Sequence, residues 1–450
     1  MTDTISGLPF WEIRFDADGD PGQEAATAID EIGTLGITDL VVFSHGWNNS
    51  PDTARRLYDG WFGELAPQLT HVTTSRPVHV GLVGVFWPSQ RWSDEPIPDF
   101  QPSVRPRAAD SGAAGVRARP EPGVAASPTI DDVTLQGLKH LFPKGDAQLD
   151  RMAALLAQPP TSAAAEEFLQ QMQDFSNATA VASDDEPGML RDEAKPLFDR
   201  YLAALRDSGV AIAPDAGGEA GLADSLGGIW HGAKEALRQL TYYQMKNRAG
   251  VVGEHGLGPF VGRLAAGAPA IRVHLVGHSF GARVVSYALA GLPPALDPSP
   301  VKSVTLLEGA FSHFAFAAEL PFDVKRAGGL AGRMQRIDGP LVVCFSSHDD
   351  AVGTFYPLAS IAAGEDSAAA DDRFYRWGGM GHDGAQAVQA KLDVLQPATI
   401  DANYRFAPGQ ALNVDASETV CRGGPPSGAH SDIVHPELTW VVLKAGGIVP

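Results

Sequence analysis

A chain of 450 residues with 44% apolar content can bury a large core, which excludes wholesale disorder and leaves one large domain with insertions, or two domains. Its formal net charge of −20 repels phosphate backbones and anionic membrane surfaces, so nucleic acid is not an expected partner. Cys344 and Cys421 are too few for a disulfide framework, the opening residues carry no basic patch followed by an apolar run, and no stretch nears the ~18 apolar residues of a bilayer span; a cytoplasmic location without a transmembrane segment is expected.

Short continuous apolar runs alternate with helix-like segments, the pattern of an α/β fold whose mostly parallel sheet is flanked by helices. An edge strand is expected over 10–15 and a first buried strand over 40–43. After it, Ser50 can cap a helix, Pro51 suits its first position, and Leu57, Trp61 and Leu65 share one face. Another strand is expected over 78–86. The alternation then breaks down: a stretch rich in Pro, Ala and Arg over 96–128 precedes amphipathic helical patterns. Phe168, Met172 and Phe175 form one stripe, Phe198, Leu202 and Leu205 a second, and Leu226, Trp230, Ala233, Leu237 and Leu240 a longer third. The chain thus divides into a core at 1–90 and 270–450 and a largely helical insertion at 91–269 with a Pro-rich loop at 92–132. That insertion is ordinary packing against the core or a lid over a substrate pocket. Strands resume over 271–276, 304–307, 341–345 and 412–420, and Pro436 opens a helix with Leu438, Val441 and Val442 on its apolar face.

The residues that carry chemistry centre on Gly277-His278-Ser279-Phe280-Gly281, which joins an apolar strand to a helical pattern. A serine on so sharp a turn sits in a strained conformation, and glycine two positions to either side lets neighbouring backbone approach it. The turn also puts Ser279 at a helix N-terminus, where free amides and the positive dipole end can stabilise a developing oxyanion. By contrast, Gly253-Glu254-His255-Gly256-Leu257-Gly258 does not open a helix after a strand, and no paired metal-ligand spacing occurs; no cofactor and no metal are expected. Cys344 reads as a small core residue within a strand.

With the strand ending in Ser44-His45-Gly46-Trp47, this turn resembles the α/β-hydrolase superfamily, esterase- or lipase-like, over roughly 10–87 and from 272 to the end of the chain. The resemblance does not identify a subfamily. It implies an oxyanion hole made by the amides of Trp47 and Phe280, and a chain order of nucleophile, acid, histidine. The acid falls in Ser346-Ser347-His348-Asp349-Asp350-Ala351-Val352; the spacing of Asp349 to Val352 favours Asp349, with Asp350 and Glu308 as alternatives. His430, in the loop before the last helix, resembles the family's terminal histidine, with His382 and His435 as rivals. The expected activity is hydrolysis of a small-molecule carboxylic ester, with Ser279 as nucleophile, His430 as base and Asp349 orienting the imidazole. Thioester or amide hydrolysis would use the same groups, and an inactive binding module would keep the fold alone.

Overall fold

Apolar runs too short for helices, and bounded by turn residues, pair here into one sheet. In the computed structural model, which describes residues 3–70, 74, 76–89, 92, 127–179, 188–207, 228–355, 375–376, 378–424 and 427–450, it has nine strands. These are β1 (Asp3–Ile5), β2 (Leu8–Arg14), β3 (Asp39–Ser44), β4 (Val80–Phe86), β5 (Arg272–His278), β6 (Val301–Leu307), β7 (Leu341–Phe345), β8 (Ala390–Val394) and β9 (Ala411–Asp415). Their order is β1-β2-β4-β3-β5-β6-β7-β9-β8, and only the β1–β2 pair is antiparallel. The fold is therefore the expected α/β class. Three details differ from the sequence expectation: β1 covers β2, so the strand expected at the edge is second from it; β8 adds an edge strand beyond β9; and the strand expected over 412–420 ends at Asp415, where Thr419 and Val420 turn back onto Ala416 O.

Alternation along each strand divides the core into two layers. Leu40 and Val42 of β3 face α1 (Glu24–Thr34), while Val41 and Phe43 face α2 (Pro51–Leu65). Ser50 caps α2 by accepting from the Thr53 amide, and Leu57, Trp61 and Leu65 are fully buried. Between β4 and β5 the chain forms α3 (Asp132–Leu141), α4 (Asp146–Leu156), α5 (Ser162–Thr179), α6 (Ala194–Asp207) and α7 (Ile229–Val251). Their apolar stripes meet: Phe168 of α5 packs edge to face on Phe198 of α6 at 5.7 Å and, tilted, on Trp230 of α7 at 6.0 Å. A π-helical turn, Val252–Leu257, connects α7 to α8 (Gly258–Gly267), and α7 and α8 both pack on α9 (Phe280–Gly291). The Pro-rich loop expected at 92–132 lies mostly outside the described residues.

On the opposite face, α10 (Pro436–Ala445) packs beside α2, with Pro436 at its first position and Leu438, Val441 and Val442 buried. From β3 the chain crosses to β4 on one side, whereas β5 leads to β6 on the other. The carboxyl ends of β3 and β5 thus flank a switch point, where open α/β sheets form their ligand crevices. Among the described residues no helix is long and apolar enough to cross a membrane.

Candidate active site

Between the end of β5 and the start of α9 stands one residue, Ser279, with φ 56° and ψ −123°. A non-glycine residue there costs roughly 1–3 kcal/mol and persists only when its surroundings dictate it. They do: the Ser279 amide donates to the Leu307 carbonyl at 3.1 Å, and its own carbonyl accepts from Ala282 and Ala310 at 3.1 and 3.2 Å. A Cβ at Gly281 would lie 2.0 Å from the Ser44 carbonyl oxygen, and one at Gly277 would lie 2.4 Å from that of Gly281. Any larger residue would push β3, β5 and α9 apart, so the spacing of the motif is a packing requirement.

The loop before α10 brings His430 to this serine. Its Nε2 lies 2.8 Å from Ser279 Oγ and its Nδ1 2.8 Å from Asp349 Oδ2. Asp349 is fully buried just beyond β7, and its other oxygen accepts from the Val352 amide at 2.9 Å. An ionised carboxylate only accepts, so the imidazole proton sits on Nδ1, leaving Nε2 to accept from the serine hydroxyl. The loops that carry Asp349 and His430 are tied together by backbone: the Ala429 amide donates to His348 O at 2.8 Å. His278, next to the serine, donates from Nε2 to the His430 carbonyl at 2.8 Å. Burial, and then the neighbouring His430, push His278 down to about 3, so it stays a neutral donor.

On the other side of Ser279 runs the loop after β3. A Cβ on Gly46 would stand 2.5 Å from Ser279 Cβ, so this backbone passes against the serine itself. Tyr58 of α2 holds the loop, its hydroxyl accepting from the His45 amide at 3.0 Å and donating to Val85 O. Trp87 donates its indole N–H to His45 O at 3.0 Å and stacks on the His45 ring at 5.6 Å. Burial pushes His45 down to about 4, so that ring is neutral as well. Phe280 opens α9 and its amide has no intrahelical acceptor; the Trp47 amide has no protein acceptor among the described residues. The Trp47 ring packs on Tyr242 of α7 at 5.0 Å and on Phe280 at 6.4 Å.

Of the residues singled out in the sequence, Ser279, Asp349 and His430 therefore meet, with Trp47 and Phe280 beside the serine. The others go elsewhere. Asp350 turns toward Gly428, and burial followed by the adjacent Asp349 raises its carboxyl. His382 lies in the single helical turn Met380–Asp383 against Gly353, its Nδ1 buried without a partner. His435 pairs with Asp432 at 2.9 Å. Glu308 lies buried beside Asp349. The roles of His278, Tyr58 and Trp87 were not visible in the sequence, because their partners are distant along the chain.

A cleft of about 730 Å³ lies behind the loop after β3, lined by His45, Asn49, Ser50, Phe86, Trp87 and Leu141 among others. Ser279 is not in its wall, so it does not mark where the serine would meet a ligand. No protein-family model, curated protein or solved structure matches the chain.

Proposed function

We propose that the chain is a serine hydrolase of the α/β-hydrolase type that cleaves carboxylic esters through an acyl-enzyme. The observation that carries this reading is the row Ser279, His430, Asp349, with both contacts at 2.8 Å and the serine on a strained strand-to-helix turn. In this reading Ser279 Oγ attacks the acyl carbon as its proton passes to His430 Nε2, while Asp349 keeps the imidazole oriented and stabilises the imidazolium. The amides of Trp47 and Phe280 receive the oxyanion, each worth about 3 kcal/mol. Collapse expels the alcohol with the proton from His430, and water then releases the acid by the same steps in reverse order.

A thiolate leaves more readily than an alkoxide and an amine only when protonated, so the row itself can act on esters, thioesters and amides, and pocket shape selects among them. Tyr242 of α7, packed on Trp47, supports a lid role for the insertion's helix α7 beside the oxyanion loop.

Turnover of p-nitrophenyl acyl esters tests the reading. Ser279→Ala is expected to lower it by up to about 10⁶-fold. Turnover that survives this substitution would refute the assignment, and a folded native chain inert to esters, thioesters and amides would point to a binding module.

A further inference from the structure

Glu308 follows β6 directly and has no part in the row described above. Its backbone is held at φ 47°, a left-handed conformation rare outside glycine, by the hydrogen bond its amide donates to Cys344 O at 3.1 Å and by the close approach of Gly381. Glu308 is 1% exposed, and its carboxyl lies against that of Asp349. Two carboxyls buried side by side stay in contact only if one of them keeps its proton. Both oxygens of Asp349 are already engaged as acceptors, by the Nδ1–H of His430 and by the Val352 amide, so the proton belongs to Glu308. Glu308 Oε2 is buried with no N–H or O–H of the described residues directed at it, so no donor there stabilises a charge on it.

The ionisable neighbours agree. Asp349 and Cys344 face Glu308 from β7 and the loop beyond it, and Asp432 from the loop before α10; none is a cation. The turn packed on its backbone carries His382 and Asp383, which engage Asp350 and His313 instead. Burial, then the charge of Asp349, holds the Glu308 carboxyl well above the usual range.

Building on the serine-hydrolase reading, we propose that Glu308 is a positioning residue, a neutral acid whose O–H donates to Asp349 and so fixes the carboxylate that orients His430. Its ionisation would withdraw that donor and put a second negative charge in contact with Asp349, so catalysis should decline as the pH rises through that step.

The test is the pH profile of kcat for the wild type, Glu308→Gln and Glu308→Ala. The glutamine keeps an N–H donor and cannot ionise. It should stay within about threefold of wild type at the plateau and lose the alkaline limb, whereas the alanine should fall about tenfold or more in kcat with a smaller change in KM. A glutamine variant as impaired as the alanine, or one that keeps the wild-type alkaline limb, would overturn the role. Either result, with Ser279→Ala still inactive, would leave the hydrolase reading intact. A second readout needs no turnover. A carboxyl raised in the folded state gives stability that is full below the unfolded carboxylate range and lost as pH climbs through the folded value. The Tm of Glu308→Gln should therefore gain on wild type from pH 5 to pH 9, and parallel curves would contradict a neutral Glu308.

Discussion

The sheet carries a serine, histidine and aspartate row at each of its two ends. At the amino-terminal end, His274 of β5 reaches Ser303 Oγ of β6 through Nδ1 at 3.0 Å and Asp39 of β3 through Nε2 at 3.1 Å. Those lengths are close to the 2.8 Å contacts of His430. What differs is the setting. Ser303, His274 and Asp39 are no more than 1% exposed, while the His430 side chain keeps 13% of its surface open. Ser303 lies within a strand, whereas Ser279 stands on a strained turn at a helix N-terminus beside a loop with a free amide. Asp39 is also clamped by both guanidinium nitrogens of Arg76 at 2.6 Å and approached by Arg272 at 3.3 Å. Burial alone would raise this carboxyl, but hydrogen bonds from His274 and Arg76 hold it well below the usual range. The same three residue types thus staple strands at one end and, in the proposed reading, transfer an acyl group at the other. Strand-end geometry and access separate the two, not composition.

Substituting the two aspartates breaks that comparison most sharply. Asp349→Asn should lower kcat by about 10⁴-fold through the wrong imidazole tautomer, with little change in unfolding midpoint. Asp39→Asn should leave kcat per folded molecule unchanged and cost at most ~3 kcal/mol in urea unfolding. That is the low end for a broken buried pair, because Arg76 and Arg272 remain about a third open to water. A large kcat loss from Asp39→Asn would mean that the two ends are coupled.

A smaller effect is expected from the oxyanion side. Gly46→Ala puts a methyl group 2.5 Å from Ser279 Cβ and must shift the Trp47 amide, for an expected 10²–10³-fold loss in kcat, about that of one missing oxyanion donor. Wild-type turnover in this variant would remove Trp47 from the hole.

The smallest expected effect concerns acid stability. His45 and His278 are neutral when folded, pushed down to about 4 and about 3 by burial, and both must charge on unfolding. Their contribution is present above the ordinary histidine value and is lost as pH falls from about 6.5 toward those values, at up to ~1.4 kcal/mol per pH unit for each. His45→Asn should flatten the dependence of the urea midpoint on pH between 6.5 and 4, and an unchanged slope would show that His45 does not contribute to it.

Most of the sheet was legible because its strands are buried on both faces and read as unbroken apolar runs, as in 40–43 and 341–345. The edge strand β8 was not: Leu392 and Val394 are 72% and 62% exposed, so no core selects an apolar pattern there. The serine turn and the His45-Gly46 loop were legible because each is a short motif whose sterics are local. Asp349 and Asp350 could not be separated by pattern, being adjacent; the loop decides, its Asp349 amide bonding back to Ser346 O while Asp350 turns to Gly428. His278 was passed over because the carbonyl it holds is 152 residues away. The buried row at Asp39, His274 and Ser303 left no signal, since its members lie on three separate strands.

Mapping the residue modified by a fluorophosphonate probe tests the account most directly, because Ser279 and Ser303 each stand in a hydrogen-bonded row with a histidine and an aspartate. The prediction is stoichiometric labelling of Ser279, lost in Ser279→Ala and unaffected by Ser303→Ala. Labelling of Ser303, or a folded chain that takes up no probe, would contradict it.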